Sequence, residues 1–166
     1  ANVVLNKGIL IQSTSPLTVY YEVIGQFISN PEIFSLKGRN ALGESFYIPF
    51  QNLMPNSNAY SPLPHAAFDI VATEDNTTVN IIPSKDIVGH AAGVPFALIL
   101  NRGETYSAQA ASQLASEHPT GSRVTSDKPI AITIKDDLLE SGALYGGFCR
   151  DLMGDQIVPV GKLGTR

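Results

Sequence analysis

Apolar residues recur at every second position in short runs, and this alternation restricts the chain to β-strands with one buried face each. Ile9 and Ile11 follow it, then Leu17, Val19 and Tyr21. Phe68, Ile70 and Ala72 do the same, then Val79 and Ile81, and later Ile130, Ile132 and Ile134. Residues that turn a chain separate the runs: Ser13-Thr14-Ser15-Pro16, Glu74-Asp75-Asn76-Thr77 and Ser126-Asp127-Lys128-Pro129. Proline presets φ, and Asn, Asp and Ser bond their own backbone, so each segment reads as a tight reversal between two hairpin strands. Asn101-Arg102-Gly103 reads likewise, its glycine supplying the positive φ of a short loop. The predicted fold is all-β and antiparallel, in a single module of 166 residues. Its expected core is Ile11, Leu17, Val19, Val71, Val79, Ile81, Val124, Ile130, Ile132 and Ile134.

At most one short helix is expected, near 108–117, where four alanines stand with Gln and Leu before His118-Pro119 and Gly121. Asn52 to Pro64, with Pro55, Pro62 and Pro64, reads as a long loop.

The segments also resemble one another. Gly8, Ile11, Pro16 and the alternating residues after it align with Gly121, Val124, Pro129 and Ile130–Ile134 at an offset of 113 positions. Val71, Thr73, Val79 and Ile81 fall on Ile11, Ser13, Val19 and Tyr21 at an offset of 60. A strand–glycine–strand element follows each, around Gly43, Gly103 and Gly164. This reads as about three repeats, approximately 8–60, 61–120 and 121–166, of propeller-blade or β-sandwich size. The third breaks off after Leu163-Gly164-Thr165-Arg166. The repeat domain is therefore expected to continue further, leaving a sheet edge here that pairs with another chain. The opening, Ala1-Asn2-Val3-Val4-Leu5, falls in mid-pattern, as in a mature or excised piece.

Charge narrows the function. Charged residues make up 16% and the net charge is −4, which disfavours nucleic acid and anionic lipid as partners. No apolar run approaches the ~18 residues of a membrane span. One cysteine, Cys149, leaves no internal disulfide framework; it reads first as a buried thiol, the alternative being a pair with a cysteine outside these residues. No nucleophile elbow, phosphate loop or dinucleotide fingerprint occurs, so no catalytic or cofactor-binding residue is assigned. His65, His90 and His118 stand beside Pro, Gly or Ala and read as surface loop residues. Asp136, Asp137, Asp151 and Asp155 form an acidic set, weak candidates for a Ca²⁺ site, but without the spacing of a calcium loop. They read as strand-end carboxylates pointing in different directions. Asn76-Thr77-Thr78 is formally a glycosylation sequon and reads first as a turn.

Three segments resemble the N-terminal domain family of IgG-Fc-binding protein: Ala72–Val79, Leu100–Tyr106 and Gly121–Ile132, in family order. The run Cys149–Val160 resembles the bacterial branch, found in large surface or secreted proteins of the Bacteroidetes. The resemblance implies a non-enzymatic extracellular or cell-surface module for binding or adhesion, with a protein or glycan ligand and no cofactor. It does not carry the immunoglobulin ligand over, because no residue-level binding motif accompanies it. The alternative is an accessory carbohydrate-binding domain of a secreted glycan-processing system. The absence of Trp weighs against it, while Tyr20, Tyr21, Tyr47, Tyr60, Tyr106 and Tyr145 leave aromatic platforms available.

Overall fold

In a computed structural model the described residues are 1–24, 32–142 and 150–162. They form ten strands: β1 (Val4–Asn6), β2 (Val19–Val23), β3 (Glu32–Leu36), β4 (Gly43–Tyr47), β5 (Ala66–Ala72), β6 (Thr77–Ile82), β7 (Phe96–Leu100), β8 (Glu104–Gln109), β9 (Arg123–Glu140) and β10 (Arg150–Gln156). β2 and β3 pair in a small sheet of their own, and the other eight form one nearly closed antiparallel sheet. The all-β, antiparallel expectation holds.

The sheet is built on β9, which runs for 18 residues through the Ser126–Pro129 segment without reversing. Its first stretch pairs with β6 on one edge and β4 on the other, and its second stretch with β5 and β10. Ile130 is opposite Gly43 of β4 and Ala72 of β5, which places those two strands on opposite edges. β5 and β6 thus lie end to end along the same edge of β9. Between them Thr73–Thr78 spans what Asp127–Pro129 spans on β9, so the ladder bulges there. β7 and β8 repeat the arrangement one position further out, β7 on β6 and β8 on β5. The sheet is therefore a few long, interrupted ribbons lying side by side, creased along one seam.

Side chains and main chain stitch that seam. The Gly103 N–H donates to the Ala72 carbonyl at 3.0 Å. The Arg102 N–H donates to Asp75 Oδ1 at 3.0 Å, and the Thr78 N–H to Asp127 Oδ1 at 2.8 Å. Thr73 Oγ1 donates to the Pro129 carbonyl at 2.5 Å, and Lys128 Nζ bonds the Asp75 carbonyl. Gly103 has φ +80°, which a residue with a Cβ adopts only at a cost.

Three sequence expectations are corrected here. Glu74–Thr77, Asn101–Gly103 and Ser126–Pro129 do not close hairpins; they carry the chain across the seam. Turn chemistry satisfies the local backbone wherever a ladder is interrupted, and what the flanking strands pair with depends on distant segments. Consecutive strands that do pair with each other are β2 with β3, β6 with β7 and β9 with β10; β6 and β7 are joined through Pro83–Pro95. The equivalences behind the three units also fail in pairing and facing: β2 pairs with β3 away from the main sheet, Val19 is half-buried and Tyr21 half-exposed, whereas Val79, Ile81 and Ile132 are fully buried. Finally, the alanine-rich 108–117 segment is not a helix. Ala108 and Gln109 end β8, with Ala108 opposite Phe68, and only Ala115–Glu117 makes a single 3₁₀ turn. A ten-residue helix is marginal alone, and here the β5 ladder takes the backbone hydrogen bonds.

Side chains from both stretches of the sheet meet in one core, formed by Phe46, Ile48, Phe68, Ile70, Val79, Ile81, Leu100, Tyr106, Val124, Ile130 and Ile132. Of the expected core, Val79, Ile81, Val124, Ile130 and Ile132 are buried, and Val71 and Ile134 half-buried. Ile11 and Leu17 are exposed, because residues 7–18 form no strand. The small sheet rests on β10 through Phe34, whose ring stacks at a tilt on Tyr21 and fills the space a Cβ on Gly154 would need. Cys149, Tyr145 and the final Leu163–Arg166 fall outside the described residues, as does the edge expected there.

Val79→Ala is expected to cost about 1–3 kcal/mol in chemical denaturation. Ile11→Ala, half-exposed in a segment without ladder bonds, should stay within about 0.5 kcal/mol. Equal losses at the two sites would contradict this packing.

Candidate functional site

The four carboxylates proposed as a weak cation site do not converge. Asp136 turns inward and is buried. Asp137, the next residue on β9, is half-buried among other groups; burial, countered by Lys135 and reinforced by the Asp136 and Asp69 charges, holds its pKa above the usual carboxylate range. Asp151 is exposed on β10 and accepts the Leu152 N–H. Asp155, further along β10, is paired with Lys37. Among the described residues no three His, Cys, Asp or Glu side chains are grouped to hold a metal.

The histidines divide. His90 stacks on Phe96 with ring centroids 3.5 Å apart, and half-buried His65 lies 3.0 Å from the Gln113 side-chain amide. His118 is a correction: it is completely buried rather than a surface loop residue. It sits where the 49–64 loop, the 111–122 loop and β9 meet. Its Nε2 faces Asn56 Oδ1 at 3.0 Å, and that oxygen is an acceptor because Asn56 Nδ2 donates to Asp136 Oδ1 (2.8 Å) and the Asp137 carbonyl (2.6 Å). Its Nδ1 faces the Gln51 carbonyl at 3.0 Å and Asp136 Oδ2 at 3.3 Å. Gln51 Nε2 is 3.1 Å away, but its two hydrogens go to the Met54 carbonyl and Asp136 Oδ2. Gln51 Oε1 accepts the Leu53 and Met54 N–H groups, which fixes the orientation of that amide. Both ring nitrogens thus meet acceptors, so both carry protons: His118 is an imidazolium paired with the Asp136 carboxylate. Burial opposes the charge. Hydrogen bonding and ion pairing to Asp136, with the backbone of Gln51 and Gln113, outweigh it and raise the pKa of His118 above its ordinary value.

This cluster fastens the long loop. Asn56 bridges to Leu139, the Ser57 N–H donates to the Leu138 carbonyl, and Ser57 Oγ donates to Glu140. Beside it lies a cleft of about 240 Å³ between Pro49–Gln51 and Ile134, Asp136 and Met153–Asp155. The polar side chains of its lining are Gln51, Asp136 and Asp155; the Asp136 oxygens are engaged by Asn56, Gln51 and His118, and Asp155 by Lys37.

A different surface presents free groups. On the first stretch of the sheet the outward side chains fall in rows set by register. Ile82, Arg123 and Tyr47 form one, and Ala97, Asn80, Thr125 and Ser45 the next. Ile99 and Thr78 complete the face. Tyr47 is 59% exposed and Ile99 63%. Its rows carry a single charge, Arg123, beside the Tyr47 ring and the aliphatic Ile82. That is the composition of an interface core rather than of a solvated surface. Sequence reasoning named Tyr47 only as one of six tyrosines; the alternation of inward Phe46 and outward Tyr47 was the available signal, but the row it joins depends on which strands pair.

The fold is an all-β sheet module with one exposed face of aromatic, aliphatic and polar side chains. Residues 34–166 match the family described as IgGFc binding protein, a family of binding domains, and the chain belongs to it. No curated protein and no solved structure gives a significant match. No described helix is long and apolar enough to cross a membrane.

The charged state of His118 sets a pH dependence. Its pKa is raised on folding, so its contribution to stability is full below the 6.5 of a free histidine and is lost as pH rises through the folded value. His65 acts in the opposite sense: burial outweighs the backbone of Ala110 and the Asp137 charge and lowers its pKa, so the fold loses stability there as pH falls. The melting temperature should therefore drop as pH rises above the 6.5 of a free histidine, and His118→Asn should reduce that drop. At the acidic end the same substitution should cost about 3–5 kcal/mol, because it breaks a buried ion pair. An unchanged pH profile would contradict the imidazolium assignment.

Proposed function

We propose that this chain is a non-enzymatic module of an extracellular or cell-surface protein, which captures a protein ligand for adhesion on the open face of β7, β6, β9 and β4. The observation that carries the reading is the row Ile82–Arg123–Tyr47 on a sheet belonging to a family of binding domains. Tyr and Arg are the residues that most often dominate binding energy when desolvated at the centre of an interface. On this reading the rigid sheet holds Tyr47 and Arg123 in place before contact, so little side-chain freedom is lost on binding. The three-unit organisation remains part of the proposal only as shared local sequence, not as shared pairing. A bacterial surface protein is the setting that the Cys149–Val160 run supports.

The test is a binding panel on the intact chain, with immobilised immunoglobulin Fc, a set of serum proteins and a glycan array. A saturable protein ligand is expected, with Tyr47→Ala and Arg123→Ala each weakening it at least about tenfold at unchanged melting temperature. Binding confined to glycans would replace this reading with the carbohydrate-binding alternative. A protein ligand indifferent to both substitutions would remove the face from it.

A further inference from the structure

The first eight residues are attached to the sheet differently from every other strand. β1 makes three register pairs with β8, and Val3, Val4 and Leu5 all remain substantially exposed. Apolar burial therefore does little to hold this arm. Its two ends are instead held by contacts that depend on particular residue types.

At one end is Asn2, with φ +57°. Its N–H donates to the Ser107 carbonyl at 3.2 Å. Its Oδ1 accepts from the buried Tyr106 hydroxyl at 2.9 Å and from His90 Nε2 at 3.0 Å, the ring of His90 being held by its stack on Phe96. Gly89 makes the space: a Cβ there would lie 2.1 Å from the Asn2 amide nitrogen. At the other end the Gly8 N–H donates to the Gly103 carbonyl at 2.9 Å. A Cβ on Gly8 would fall 2.7 Å from that oxygen and 2.9 Å from Val71 Cγ2. Between the ends there is the backbone ladder and one side-chain bond, Thr105 Oγ1 to the Leu5 carbonyl at 3.1 Å. The receptor residues lie within the span matched by the family, and the arm lies outside it.

We propose that the outer edge of β8 is a strand-accepting site, specific for an extended segment with Asn at its first position and Gly six residues later. Residues 2–8 fill it in cis, and the same segment of a second copy of this chain fits it in trans. Main-chain bonds supply attachment, as in strand addition to an open sheet edge, and the Asn pocket and the glycine contact supply selectivity. Residues 7–18, without a strand of their own, give the arm the slack to leave. This site is separate from the face proposed above and does not depend on its ligand.

The experiment uses the full chain with a protease site placed in the exposed Ser13–Ser15 segment, cleaved after folding. A fluorescent peptide of residues 1–11 is then titrated against it. The peptide should displace the resident arm and bind saturably. Peptides with Asn2→Ala or Gly8→Val should bind at least about tenfold more weakly, and one with the exposed Val4→Thr within about threefold of the original. A cleaved chain that keeps its sheet yet takes up no peptide, or takes up all the peptides equally, would overturn the proposal. Should cleavage unfold the chain, amide exchange in the uncleaved protein decides. Asn2→Ala should speed exchange of β1 amides at least about tenfold while β5 and β9 stay protected, and unchanged β1 protection would overturn the proposal.

Discussion

An 18-residue strand in the middle of a sheet leaves a long row of N–H and C=O groups on both edges that must be paired. No single neighbour among the described strands is long enough to do it. β9 is therefore satisfied by two strands in line on each edge, β6 then β5 on one side and β4 then β10 on the other. Everything else follows from that demand. The in-line pairs must break somewhere: β6 and β5 break opposite Asp127–Pro129, where β4 bulges, and β4 gives way to β10 between Ile130 and Thr133. The breaks need residues that satisfy backbone groups without a ladder, and Asp75, Asn101, Gly103 and Asp127 supply them. Inward side chains from both stretches form one core.

The loops obey a second constraint. A Pro-rich connection from Pro49 to Pro64 cannot hold itself by regular hydrogen bonds, and it carries few apolar anchors. It is fixed instead by a buried charge. Asp136 on β9 draws in His118, Asn56 and Gln51 from two loops, and among the described residues every buried side-chain nitrogen and oxygen has a hydrogen-bond partner. A buried ion pair contributes little net stability compared with apolar packing, but a missing partner is costly. It therefore works as a position lock. The same geometry withdraws Asp136 from any role as a cation ligand.

The open face and the N-terminal arm are two different uses of sheet surface. The face exposes side chains over the β7–β6–β9–β4 ladders, so it offers a few polar, aliphatic and aromatic groups. The β8 edge offers main-chain groups and a side-chain pocket.

Alternation alone determined that this chain is all-β, that Val79, Ile81, Val124, Ile130 and Ile132 face inward, and where the strands are interrupted. These are local properties: a side chain's facing depends on its neighbours two positions away, and turn chemistry acts within four residues. The family likeness was legible for the same reason, in the wording of Ala72–Val79, Leu100–Tyr106 and Gly121–Ile132. What the interruptions do was not local. A reversal and a seam crossing need the same Asp, Asn and Gly, and differ only in which distant strand claims the flanking backbone. His118 shows the same limit for the site, since a histidine between Glu117 and Pro119 looks like a loop residue until Asp136, Asn56 and Gln51 surround it. Tertiary structure decided strand pairing, the charge on His118 and the row that joins Tyr47 to Arg123, because each depends on contacts between residues far apart in sequence.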